Sequence, residues 1–148
     1  MIRLTRKGLR AIAAAGEAAY PFEACGLLVG RLRAGVYDVA RVVPSRNVAI
    51  DATGRKDRFE IDPKLRFDVM RACEGTEDAI IGHYHSHPDH PAEPSRTDLA
   101  MAWDKDFVWV IVAVTKDGAG AVTAGAVTAH VVAEHGFQAI PMELRDAD

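Results

Sequence analysis

The sequence predicts an α+β, or mixed-sheet α/β, fold, and three observations carry that prediction. Helix-start signals occur at Thr5, at Asp62-Pro63 and at Ser95. Short runs rich in Val, Ile and aromatic residues read as strands, Phe107 to Val114 being the most strand-like. Helices and strands do not alternate one for one, which disfavours a doubly wound parallel sheet.

In chain order, Leu9, Ile12, Ala13 and Gly16 repeat at helical spacing after the cap residue Thr5, and Pro21 stops that helix. Cys25 to Val29 and Val36 to Val43 predict paired strands around a turn near Ala34-Gly35. The polar stretch from Ser45 to Asp57 predicts a loop, and Arg58 to Ile61 a strand. Asp62 caps a second helix that has Pro63 at its first position. Leu65, Val69, Ala72 and Cys73 mark its inner face, and Gly75 ends it. Ala79 to His85 predicts a central strand. Pro88 to Pro94 holds three prolines and cannot be a regular element. Ser95 opens a short third helix through about Trp103. A glycine-rich turn follows the Phe107 strand, then Ala124 to Val132 and Gln138 to Leu144 predict the last strands, and Arg145 to Asp148 a frayed end.

A chain of 148 residues, 49% apolar and 26% charged, suits one globular domain spanning 1–148. The net charge is -3 and no basic block stands out, which argues against a nucleic-acid or membrane-surface partner. Cys25 and Cys73 are too few for a disulfide framework and form no C-x-x-C pair. Met1 to Lys7 is not followed by a long apolar run, and Gly16 and Glu17 interrupt Ala11 to Ala19. That pattern predicts neither a signal peptide nor a membrane span, so a cytoplasmic location is expected. The sequence gives no oligomeric state.

Four of the six histidines, His83, His85, His87 and His90, crowd together. Residues i and i+2 of a strand share a face, so His85 and His87 can converge on one ion. Asp98, one turn into the helix opened by Ser95, can supply a carboxylate beside two imidazoles, a donor set that suits zinc. Ser95-x-x-Asp98 is also an ordinary capping pattern, and the two readings are compatible. His83 lies on the ligand face but further back; a packed histidine that supports the ligands competes there with a third ligand. Asp89 and His90 are candidates to touch substrate. His130 and His135 read as surface residues, Cys25 as a small buried hydrophobe, and Trp103 and Trp109 as core.

The full pattern is His85-Ser86-His87, then Pro88 to Pro94, then Ser95-Arg96-Thr97-Asp98. It resembles the JAMM motif of the MPN-domain metalloproteases. Upstream, Pro21-Phe22-Glu23-Ala24-Cys25-Gly26-Leu27-Leu28-Val29-Gly30 is similar to that family's glutamate segment. The resemblance covers about residues 2 to 114 and departs from the family's frequent aromatic residue at His83. It implies a compact MPN-like, cytidine-deaminase-like domain, with a curved mixed sheet flanked by about three helices. It implies one zinc per chain on His85, His87 and Asp98. Glu23 would activate water, and Ser95 would donate to the oxyanion. The implied reaction is hydrolysis of a peptide or isopeptide bond beside the C-terminal Gly-Gly of a ubiquitin-like or sulfur-carrier protein. Ser86 would point to the opposite strand face. Two other classes compete. A zinc nucleobase deaminase needs His-x-Glu and Pro-Cys-x-x-Cys, which are absent. A non-catalytic MPN scaffold would serve as a protein-interaction module, and such modules typically lose the ligands present here.

Overall fold

A computed structural model describes residues 1–100 and 106–146. The chain runs β1 (Ile2–Thr5), α1 (Arg6–Ala19), β2 (Cys25–Arg33), β3 (Val36–Ser45), α2 (Val48–Thr53), α3 (Pro63–Cys73), β4 (Ala79–Pro88), α4 (Arg96–Ala100), β5 (Val108–Lys116), β6 (Val122–Ala133), β7 (Gly136–Ile140) and β8 (Met142–Arg145). The predicted caps form. The Thr5 hydroxyl accepts from the Gly8 amide to start α1, and Asp62 accepts from the Lys64 amide to start α3 with Pro63 in place. Ala34 and Gly35 both take positive φ, as a two-residue hairpin turn between β2 and β3 requires.

One mixed sheet has the order β7-β6-β5-β4-β2-β3-β1-β8. The β4–β5 pair is parallel, as are β1–β3 and β1–β8; the others are antiparallel. β7 and β8 are the opposite edges, yet only Pro141 separates them in the chain, and its carbonyl accepts from the Ile2 amide. The sheet therefore curls until its two edges meet.

Strand alternation sorts the core into two layers. Leu28, Tyr84, Val110, Val112 and Ile12 of α1 pack on one face. Leu27, Val29, Val69 and Cys73 of α3 pack on the other. Each fully buried aliphatic side chain contributes about 1.5–3 kcal/mol. Among the described residues no helix is long and apolar enough to cross a membrane.

Several expectations are corrected. The predicted loop contains α2, capped by Asn47 and closed by Gly54 at φ 67°; its polar flanks hide the single apolar turn Val48-Ala49-Ile50. Arg58 to Ile61 does not join the sheet. It is pinned by the isolated Asn47–Ile61 bridge and by the Asn47 side chain, which accepts from the Glu60 amide and donates to the Arg58 carbonyl. Gln138 to Leu144 is two strands, because Pro141 has no amide to continue a ladder. β1 has no predicted counterpart; four residues give too short a pattern. The described residues hold four helices rather than about three, α2 being the addition. The expected end of the third helix, with Trp103, lies outside the described residues.

Gly26 has no room for a side chain: an added Cβ would come 2.2 Å from the Tyr84 ring and 2.6 Å from the Val43 carbonyl oxygen. Tyr84 is fully buried and cannot yield. Gly26→Ala is expected to cost about 3 kcal/mol or more, read as a lower urea midpoint at unchanged slope.

Candidate active site

The start of β2 is clipped to the end of β4. The Ala24 amide donates to Ser86 Oγ at 2.8 Å, and the Ser86 amide donates to the Ala24 carbonyl at 3.0 Å. Cys25 pairs with His85, so Glu23 arrives beside His87. Ser86 faces α1, as expected, for a Cβ built on Gly16 would sit 3.3 Å from Ser86 Cβ. His85 and His87 face the other way.

On that face three donor atoms meet. His85 Nε2 lies 3.0 Å from His87 Nε2 and 3.2 Å from Asp98 Oδ2, and His87 Nε2 lies 3.1 Å from the same oxygen. A tetrahedral ion with bonds of about 2.0–2.1 Å has edges of about 3.3–3.4 Å, so this triangle is close to one face of such a site. All three residues are buried. The donor atoms of Glu23, His85 and His87 lie within 4.8 Å of one another, a looser grouping than the triangle. The tighter set fits the ligands of an ion, and Glu23 borders it.

Each corner is held differently. His87 Nδ1 is 2.9 Å from the Pro91 carbonyl, which fixes the proton on Nδ1 and leaves Nε2 a lone pair toward the triangle. The His85 ring stacks on Phe59 at 4.3 Å, and its Nδ1 is buried without a hydrogen bond. Ser95 and Asp98 cap reciprocally: the Ser95 amide donates to Asp98 Oδ2 at 2.9 Å and the Asp98 amide to Ser95 Oγ at 3.0 Å. The capping reading of this pair is therefore correct, and the same Oδ2 also faces the histidines.

The electrostatics favour a cation in the triangle. Burial works to raise the Asp98 pKa, but contacts with His85 and His87 outweigh it and hold the carboxyl far below the usual range. Burial lowers the His85 pKa despite Asp98, keeping the ring neutral. For His87, burial is outweighed by Asp98 and the Pro91 carbonyl, and the pKa rises. Glu23, only 5% exposed, is raised to about 8 by burial, with Asp98 and Asp57 adding and His87 opposing. Its Oε1 is buried without a partner.

A pH prediction follows from Glu23. Its folded pKa is raised, so its contribution to stability is fully present below the unfolded value near 4.5 and is lost as pH rises through about 8. His83 and His85, whose pKa values burial lowers, add stability as pH rises toward 6.5, and against them Glu23 gives the metal-free protein a loss between pH 5 and 8 on the order of a few kcal/mol. Glu23→Gln should flatten that slope, as measured by chemical denaturation at both pH values.

The remaining candidates separate. Glu23, His87, His90, Ser95 and Thr97 line a cleft of about 330 Å³. Asp89 is exposed and accepts from the Tyr20 hydroxyl. His83 stays outside the group that could hold a metal ion. It packs 4.2 Å from Trp109 and 5.5 Å from Phe59, and burial pushes its pKa down to about 3. A larger cleft of about 450 Å³ lies behind Phe59, lined by His83 and Trp109 and not by Glu23, His85 or Asp98. Cys25 and Trp109 are buried, as expected, and burial raises the Cys25 thiol to about 12. His135 is exposed, but His130 is buried, contrary to expectation, because β6 turns it inward opposite Trp109. Asn47, overlooked in the sequence, donates to the Glu23 carbonyl at 3.0 Å and so steadies the glutamate's backbone. An Asn before an apolar turn was its one local signal.

A stretch of 91 residues, 62% of this chain, is 35% identical to a desampylase of Haloferax volcanii. Another of 99 residues, 66% of the chain, is 32% identical to a CysO-cysteine peptidase of Mycobacterium tuberculosis. The matched stretch spans 62% of each of these two relatives. A solution structure of protein DSY2949 from Desulfitobacterium hafniense superposes with a TM-score of 0.79 at 27% identity, covering 99% of this chain and 94% of that one. The family described as prokaryotic homologs of the JAB domain matches residues 5–128, which include Glu23, His85, His87, Ser95 and Asp98. By that match, the chain belongs to the prokaryotic homologs of the JAB domain.

Proposed function

We propose that this chain is a zinc-dependent, JAMM-type peptidase or isopeptidase. It acts in the cytoplasm, next to the C-terminal Gly-Gly of a ubiquitin-like or sulfur-carrier protein. The observation that carries the reading is the buried triangle of His85, His87 and Asp98 with Glu23 at its border. Relatives named desampylase and CysO-cysteine peptidase support the substrate class. Both cysteines are free, which suits a reducing compartment.

His85, His87 and Asp98 would hold one zinc per chain. A bound zinc supplies Lewis acidity, polarising the scissile carbonyl and lowering the pKa of water to about 7. With a cation held beside it to stabilise its carboxylate, Glu23 would take a proton from the attacking water and return it to the leaving amine as the C–N bond breaks. The acyl carbon gains the hydroxyl and the amine gains the proton, so the hydrolysis balances. Ser95 Oγ already accepts from the Asp98 amide. Its own hydroxyl proton remains free to donate to the developing oxyanion, for about 2–4 kcal/mol of transition-state stabilisation. A tail of two glycines brings no side chains into the cleft.

The test is metal dependence. Chelated protein should lose cleavage of a carrier conjugate joined through Gly-Gly, and zinc should restore it. Cleavage at full rate by protein shown to be metal-free would overturn the proposal.

A further inference from the structure

The segment joining β4 to α4 carries His87 at one end and Asp98 just past the other. Pro88, Pro91 and Pro94 lack amide protons, so this segment has few means of holding itself. It is held from outside: at Asp89, whose amide donates to the Val114 carbonyl of β5 and whose carboxylate accepts from Tyr20, and at Ala92 by β6. Register aligns His85 of β4 with Ile111 of β5 and Thr128 of β6, and likewise His83, Trp109 and His130. Thr128 and His130 therefore sit on the ligand face, two strands away, about 9–10 Å across the sheet.

The loop crosses β5 and presents the carbonyl of the buried Ala92 to β6. The Thr128 hydroxyl donates to it at 2.6 Å. That uses the hydroxyl's single proton. His130 Nε2 lies 2.9 Å from Thr128 Oγ1 and also makes a hydrogen bond to the Ala92 backbone, so its N–H is a donor to this pair of oxygens. The preceding carbonyl, Pro91, accepts from His87 Nδ1 at 2.9 Å. Adjacent peptide planes thus join β6 to the ligand: displacing the Ala92 carbonyl swings the Pro91 carbonyl, and with it the His87 ring.

We infer that Thr128 and His130 are positioning residues for metal ligand His87, acting through the Pro91-Ala92 peptide. The inference rests on the reading of His85, His87 and Asp98 as zinc ligands. Its test is the zinc Kd, measured by chelator competition, together with the visible spectrum of the cobalt-substituted protein. Thr128→Val keeps the shape and removes the donor. It is expected to weaken zinc binding about 10–100-fold and to alter the cobalt spectrum. Thr128→Ser restores the donor and should bind within about threefold of the parent. His130→Phe, which leaves the Thr128 hydroxyl unsupported, should weaken binding in the same direction and serves where Thr128→Val fails to fold. Equal Kd values for Thr128→Val, His130→Phe and the parent would overturn the inference while leaving the ligand reading standing. A parent protein that binds no zinc would overturn both.

Discussion

Glu23→Gln is expected to lower kcat by about 10²–10⁴-fold, with zinc content unchanged and KM little altered. The substitution preserves size and shape at a residue that is itself buried. The amide can still hydrogen-bond to water but cannot take its proton. Glu23 lies outside the His85–His87–Asp98 triangle, so the proposed ligand set stays whole. A fall in both zinc content and rate would instead make Glu23 a ligand. Equal rates at equal zinc content would remove its role as base. Steady-state kinetics with metal quantification on the same sample separates the three outcomes.

Asp98→Ala is expected to release most of the zinc at micromolar protein and to bring hydrolysis to background. One oxygen, Oδ2, serves His85, His87 and the Ser95 amide. Removing it deletes one of the three proposed ligands and leaves two buried imidazole nitrogens 3.0 Å apart with no anion between them. It also removes the side-chain half of the α4 cap, for about 1 kcal/mol of local stability. Asp98→Asn separates the two effects, since it keeps an oxygen for the cap while losing the charge that favours the ion. The Asn variant should fold like the parent and still bind zinc far more weakly, as read by metal analysis after gel filtration.

The parts of the fold legible in the sequence were those with local chemistry. Thr5, Asp62 and Ser95 cap helices through hydrogen bonds that span two or three residues. His85 and His87 share a face because a strand has period two. What escaped depends on partners distant in the chain. Pro141 marks a break within Gln138 to Leu144, but nothing local tells that the strands on its two sides lie on opposite edges of the sheet. His130 reads as a surface residue until the register of β6 on β5 turns it toward the ligand face. The same holds for Thr128 and for the Pro91 and Ala92 carbonyls, whose roles arise where the loop lands. His83 shows the limit of spacing: it shares the strand face of His85 and His87, yet Phe59 and Trp109 enclose it away from the triangle.

The most direct measurement is mass spectrometry of a carrier conjugate joined through its C-terminal Gly-Gly, after incubation with zinc-loaded protein. The expected result is a single cut at the carboxyl side of the second glycine, freeing the intact carrier and the amine it held. An uncut conjugate with fully loaded protein, or cuts at other bonds, would contradict the account.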